Sequence, residues 1–179
     1  MVGFPGGFTT KRLLLRPIEA ADSSAAFDVY ASDPLVTRYL SWTPYVDPGV
    51  CAKFFAQHAA RHANGEIGAY AITLRETRRL IGAFDLRPDT HCRVNVGYVL
   101  GRPFWRQGYM TEALSEVVAW ALAQPDVWRV WGVTDVENRA SAGVMERAGL
   151  MREGVLRRWI RHPNLSTDPR DCLCYARVR

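Results

Sequence analysis

Asn95–Leu114, NVGYVLGRPFWRQGYMTEAL, runs from an extended segment through a loop into a helix. Val94 to Leu100 reads as a strand. In the helix that follows, Leu114, Val117, Val118, Ala121 and Leu122 recur on one face at helical spacing, and Pro125-Asp126 closes it. Val127 to Thr134 then reads as a second strand. A strand–helix–strand unit of this kind predicts two parallel strands joined by a right-handed crossover.

The start of that helix carries the chemistry. A helix N-terminus leaves backbone N–H groups unpaired and holds roughly half a positive charge, so a glycine-bearing loop feeding one is a candidate phosphate cradle. Gly108 lets the backbone approach closely, and Arg106 and Gln107 add donors. An ordinary turn at Gly108, with Glu112 satisfying part of the helix start, accounts for the same residues. The loop has neither the lysine–hydroxyl pair of a nucleotide P-loop nor the three-glycine dinucleotide fingerprint, which argues against ATP and NAD as the guest.

Outward from this unit, Arg12 to Arg16 reads as a strand closed by Pro17. Asp22 is placed to cap a helix running to Asp33-Pro34, and Asp47-Pro48 starts a second helix that ends near Gly65. Ile67–Leu74 and Leu80–Leu86 form a hairpin, with a turn expected at Pro88-Asp89 before the central strand. Beyond the crossover, Asn138 opens a helix that stops at Gly149, and strands follow near Gly154–Ile160 and Cys172–Val178.

The chain has 179 residues, enough for one domain with a real core, and 48% apolar and 23% charged residues argue against wholesale disorder. The expectation is a single domain over 1–179 with an ordered core at about 10–178. The opening residues lack a signal-peptide pattern and Val117–Ala123 is too short to span a bilayer, so a soluble, cytoplasmic protein is expected. Cys51, Cys92, Cys172 and Cys174 read as reduced thiols; their spacing suits no metal, and none is expected. The net charge of +5 favours an anionic partner in general, though scattered arginines read mostly as solvated surface.

The quoted stretch resembles the acetyl-CoA-binding motif of the GNAT acetyltransferases, and VTDVENRASAGVMERAGLMREGVLRR (133–158) is similar to the segment that follows it. TKRLLLRPIEAADSSAAFDVYASDPLVTRYL (10–40) and RRWIRHPNLSTDPRDCLCYARVR (157–179) resemble the branch that includes the RimJ and RimL ribosomal-protein N-terminal acetyltransferases. The resemblance implies a mixed α+β GNAT fold: a largely antiparallel twisted sheet of about seven strands, a central β-α-β crossover whose parallel strands splay, and about four helices. It implies acetyl-CoA as co-substrate, its pyrophosphate on the backbone N–H groups of Arg106, Gln107, Gly108, Tyr109, Met110 and Thr111, and its pantetheine arm paired with Tyr98, Val99 and Leu100. Asn138 matches the asparagine that contacts the arm. Ser141 matches the hydroxyl beside the thioester sulfur, where it would serve the departing thiolate.

Three positions depart from the family pattern: Trp105 and Met110 in the loop, and Asn95, where a carboxylate commonly serves as or orients the general base. An amide takes up no proton. A protein α-amine, with a pKa of about 7.7 to 8.0, is partly neutral near pH 7.4, whereas a lysine near 10.4 is almost wholly charged. Asn95 therefore fits an α-amine acceptor by positioning the amine or a water, and Asp85 on the neighbouring strand is a possible replacement base. The acceptor expected is a protein N-terminus or a small amine, with a highly cationic polyamine disfavoured by the basic charge. A non-catalytic acyl-CoA-binding regulatory module is the other reading, motivated by Asn95. Nucleic acid is not the expected partner: RRWIRH (157–162) interleaves basic and aromatic residues without an RNA-binding signature, and fits an alternating strand or a lip of the acceptor groove. Monomer and homodimer both remain open. His58 and His62 in HAARH read as a solvated polar face, and Tyr39, Trp42 and Tyr45 as core packing or a cover for the acceptor site.

Overall fold

A computed structural model describes residues 3–89 and 92–179; Met1 and Val2 of the expected domain, and Thr90 and His91 within it, lie outside the described residues. The elements are β1 (Phe8–Thr9), β2 (Leu13–Pro17), α1 (Asp22–Ala26), α2 (Pro34–Thr37), α3 (Pro48–Ala63), β3 (Gly68–Leu74), β4 (Leu80–Asp89), β5 (Arg93–Leu100), α4 (Tyr109–Ala123), β6 (Arg129–Asp135), α5 (Arg139–Arg147), β7 (Met151–Arg161) and β8 (Pro169–Val178). The strands form one sheet in the order β1-β2-β3-β4-β5-β6-β8-β7. Every pairing is antiparallel except β5 with β6. Among the described residues no helix is long and apolar enough to cross a membrane.

Both sheet faces are covered, which is why β3 reads as a nearly continuous apolar run rather than an alternation. Tyr70 and Ile72 point to one face, where they join Leu13, Leu15, Phe84, Val94 and the buried side of α4: Leu114, Val117, Val118 and Ala121. Ala69 and Ala71 point to the other, against Tyr30, Cys51 and Phe55 of the N-terminal helices. Burying each Leu, Val or Phe contributes about 1.5–3 kcal/mol, so the two layers fix the sheet between them.

Three boundaries differ from the sequence reading. Among the described residues there are eight strands rather than about seven, because the two residues of β1 pair with β2. Asp22 caps no helix: it is buried, binds the Arg16 guanidinium and accepts the Glu19 N–H, while α1 continues as a π-helical turn over Phe27–Ala31. The chain restarts at Asp33, whose side chain accepts from the Leu35 N–H and caps α2. The expected turn at Pro88-Asp89 is instead the last part of β4. The β3 ladder ends at Gly68↔Leu86, so beyond it β4 pairs on one edge only, and a proline without an N–H is tolerated.

The HAARH pair is not a solvated face. The His58 ring stacks on Phe54 with centroids 3.9 Å apart. His62 Nδ1 accepts the Ala69 N–H at 3.1 Å at the start of β3, which only an unprotonated nitrogen can do. Burial lowers the pKa of both histidines, so their stabilisation is present above the ordinary histidine value and lost as pH falls through the lowered one. The melting temperature should therefore decline as pH drops below about 6.5. His62→Asn keeps an acceptor that does not titrate and should flatten that decline. His62→Ala should cost about 1 kcal/mol, or some 2–4 °C, at pH 7.5. An unchanged pH profile in the asparagine variant would remove His62 from the account.

Candidate functional site

Among the described residues β5 and β6 pair in register at three positions, Arg93↔Arg129, Val94↔Val130 and Asn95↔Trp131, with the Trp128 N–H on the Cys92 carbonyl just before them. Past Asn95, β5 stays with β4 as far as Leu100, and β6 stays with β8 as far as Asp135. Each central strand keeps its antiparallel neighbour and gives up its parallel one, so the sheet opens between Gly97–Leu100 and Gly132–Asp135.

The start of α4 belongs to the same crossover. Gly108, its N-cap, has φ +79°, the left-handed region where glycine carries no Cβ penalty, and among the described residues no side-chain hydrogen bond caps the first turn. Glu112 is engaged elsewhere: its carboxylate accepts from Thr10 Oγ1 at 2.6 Å, Arg12 N at 2.8 Å and Arg12 Nε at 2.7 Å. Burial alone would raise the Glu112 carboxyl, but these donors hold it below its ordinary value. Arg12 also donates to the Gln107 carbonyl at 2.9 Å and lies over the Tyr109 ring. Arg12 thus clamps the loop from about a hundred residues away, with no signal in sequence spacing. Arg106 has φ +60°. Met110 is turned into the core, away from the loop, and Thr111 Oγ1 is buried without a hydrogen-bond partner. These residues suit a phosphate: open backbone donors at a helix start, a left-handed glycine, and an unpaired hydroxyl in the first turn.

Across the opening, Asn138 caps α5 by accepting the Ser141 N–H at 3.2 Å. Asp135, fully buried, sets this turn. It accepts the Glu137 N–H at 2.9 Å and binds Arg170 Nε at 2.6 Å, while its backbone carbonyl takes the Asn138 N–H at 2.9 Å. Burial would raise the Asp135 carboxyl, yet Arg170 and the Glu137 N–H bring it below its ordinary range. The Tyr98 hydroxyl crosses from β5 to α5, 2.9 Å from Ser141 Oγ and 3.3 Å from the Ser141 carbonyl. Burial pushes its pKa up to about 12, against the lowering effect of the Ser141 hydrogen bond. Of the three residues expected to line the opening, Leu100 has its carbonyl filled by the Trp105 indole N–H at 2.6 Å.

Asn95 lies on the sheet face that carries Asp85, Arg87 and Gly97, since Arg87↔Asn95 and Asp85↔Gly97 are cross-strand partners. The Asn95 amide donates to the Trp131 carbonyl at 3.3 Å and accepts from Arg87 at 3.4 Å, and the same guanidinium donates to Asp85 at 2.8 Å. Asp85 therefore faces this side but is committed to Arg87. A groove of about 600 Å³ runs from Asn95 over Trp131 to Leu156 and Trp159. RRWIRH does not alternate simply. Leu156 pairs with Cys172 and Ile160 with Arg170, so Arg157, Arg158 and Trp159 bulge opposite the single residue Asp171. Arg158 takes φ +52° there, its N–H donating to Asp171 at 2.9 Å, and the half-exposed Trp159 lines the groove. Trp42 and Tyr45 stack on each other at 5.1 Å and pack against the core under the N-terminal helices. Cys172 and Cys174 are both buried free thiols.

A family model described as an acetyltransferase (GNAT) domain matches residues 12–151. A Bacillus licheniformis relative named uncharacterized N-acetyltransferase p20 is 28% identical over 150 residues, 83% of this chain and 84% of its own. Two solved structures share the fold. The microcin C7 self-immunity acetyltransferase MccE, in complex with acetyl-CoA and AMP, superposes with a TM-score of 0.86 at 18% identity, covering 99% of this chain and 98% of that one. RimL, a ribosomal L7/L12 α-N-protein acetyltransferase in complex with coenzyme A, gives 0.82 at 22% identity, covering 98% and 97%.

Glu112→Ala removes the acceptor of three hydrogen bonds, two of them from Arg12. It should cost about 2 kcal/mol, some 4–8 °C in melting temperature. Glu112→Gln should lose the part of stability that disappears as pH falls through the lowered carboxyl, seen as a shallower decline below about pH 4.3. A melting temperature unaffected by Glu112→Ala would show that the Arg12 clamp does not hold the loop.

Proposed function

The chain belongs to the GNAT acetyltransferases, and we propose that it moves an acetyl group from acetyl-CoA to the free α-amino group of a protein or peptide, with a small amine as the second acceptor class. The observation that carries the cofactor assignment is the loss of β5–β6 pairing after Asn95, beside a helix start that no side chain caps. Acetyl-CoA supplies the activated thioester. The backbone N–H groups of Arg106 to Thr111 hold its pyrophosphate, Tyr98 and Val99 pair with its arm, and the Asn138 side-chain amide, whose oxygen is already used by the cap, offers its N–H₂ to the same arm.

In the reaction, a neutral amine attacks the thioester carbonyl directly. Backbone N–H groups on the opened strand face the oxygen as it gains charge, and Ser141 donates to the leaving sulfur. No covalent enzyme intermediate is needed, and burial, which pushes the Cys172 thiol up to about 11, disfavours the thiolate. Asn95 orients the amine or a water through an amide already fixed by Arg87 and Trp131, and it takes no proton. That suits an acceptor which loses its proton unaided near neutral pH.

The acceptor class is tested by thiol release from acetyl-CoA with three sets of acceptors: peptides with a free α-amine, the same peptides blocked at the α-amine but carrying lysine, and small amines. Turnover is expected with the first set and not with the second, and kcat/KM should rise with pH and level off above about 8. Asn95→Ala should lower kcat/KM by about tenfold without moving that inflection, the loss of one positioning hydrogen bond. Tight CoA binding without turnover on any amine, and activity created by Asn95→Glu, would instead establish a regulatory acyl-CoA-binding module.

A further inference from the structure

Ser141 sits in the first turn of α5 with its N–H on Asn138, an arrangement that leaves its hydroxyl free to rotate. A serine hydroxyl there has competing acceptors, including backbone carbonyls one turn earlier. What limits it is Tyr98. The phenol oxygen is 2.9 Å from Ser141 Oγ, and the Tyr98 ring packs on Phe84 with centroids 6.0 Å apart and planes 29° from parallel. Tyr98 is thus backed by Phe84 of β4 and aimed across the sheet opening at one helix residue 43 positions away.

Two hydrogen-bond arrangements satisfy this geometry. In one, Ser141 donates to the Tyr98 oxygen while Tyr98 donates to the Ser141 carbonyl at 3.3 Å, a closed ring in which the serine proton is tied up. In the other, Tyr98 donates to Ser141 Oγ, which fills a lone pair of that oxygen and leaves the serine proton to point elsewhere. We propose that Tyr98 is a positioning residue: by donating to Ser141 Oγ it directs the Ser141 proton at the sulfur that leaves during acetyl transfer. The inference rests on the acetyl-CoA reading of this chain and on Ser141 standing beside that sulfur.

The chemistry balances without a charged tyrosine. The C–N bond forms as the C–S bond breaks, the sulfur departs with the electron pair, and the surplus amine proton goes to water. Ser141 shares its proton with the sulfur and retains it, and the Tyr98 proton stays on Tyr98. A hydroxyl that accepts a hydrogen bond is also a stronger donor, so Tyr98 sharpens both the direction and the strength of the Ser141 contact.

The test uses CoA itself and needs no acceptor. The ionisation of the bound CoA thiol is followed by thiolate absorbance in the wild-type protein, Tyr98→Phe, Ser141→Ala and the double variant. Each single variant is expected to raise the bound thiol's pKa by about one unit, a tenfold loss of thiolate at fixed pH, and the double variant no further. With an acceptor that turns over, Tyr98→Phe should lower kcat by about tenfold and leave KM for acetyl-CoA within about twofold. A purely structural role for Tyr98 would weaken CoA binding and lower the melting temperature without moving the thiol. A shift in Ser141→Ala but none in Tyr98→Phe overturns the proposal while keeping Ser141 at the sulfur. No shift in either overturns both assignments, and failure of the wild-type protein to bind CoA overturns the acetyl-CoA reading beneath them.

Discussion

The site depends on one broken ladder. Among the described residues β5 and β6 are parallel neighbours in register for three residue pairs, and each then follows its antiparallel partner. Antiparallel pairs are slightly more stable per residue than parallel ones, and sheet twist turns adjacent strands relative to each other, so the parallel seam is the one to part. Its opening exposes backbone groups that a continuous sheet would have consumed. It also lets Tyr98 reach from one lip to Ser141 beyond the other. The crossover that makes the strands parallel places the start of α4 beside the same opening.

Holding such a vacancy open requires that nearby polar groups be satisfied elsewhere. Glu112, which could have served the helix start, is drawn off by Thr10 and Arg12, and Arg12 extends to the loop carbonyl of Gln107. Asp135 does the equivalent work for α5, where its pairing with Arg170 makes burial of the carboxylate tolerable and its backbone and side chain shape the turn leading to Asn138. On the opposite sheet face, Arg87 joins Asp85 to Asn95, so the nearest carboxylate is paired with an arginine. The two halves therefore have different characters. The helix start that suits a phosphate is built from backbone groups, and the face carrying Asn95 from side chains fixed by one another.

Much of this was legible along the chain. The Gly108 loop, the apolar face of α4, the Asp47-Pro48 start of α3 and the Asn138 cap all rest on interactions within one turn or one strand, which residue type and spacing report directly. The readings that needed correcting involve partners on another element of the fold. Asp22 looks like a cap until Arg16 is folded beside it. HAARH looks like a solvated face until β3 brings the Ala69 N–H to His62. RRWIRH looks like simple alternation until Asp171 on the neighbouring strand holds Arg158 in a bulge. Met110, a departure from the family loop, turns its side chain into the core, which only the helix's docking onto the sheet decides.

The sequence by itself determined a strand, a glycine-bearing loop and an amphipathic helix in an order that forces a parallel crossover, because periodicity and helix-start vacancies are local properties of the chain. Tertiary structure alone decided where the parallel ladder parts, which carboxylates are spent on arginines, and that Tyr98 meets Ser141. Most of those outcomes come from competition among hydrogen-bond partners separated by tens to a hundred residues, and such competition leaves no spacing in the sequence to read.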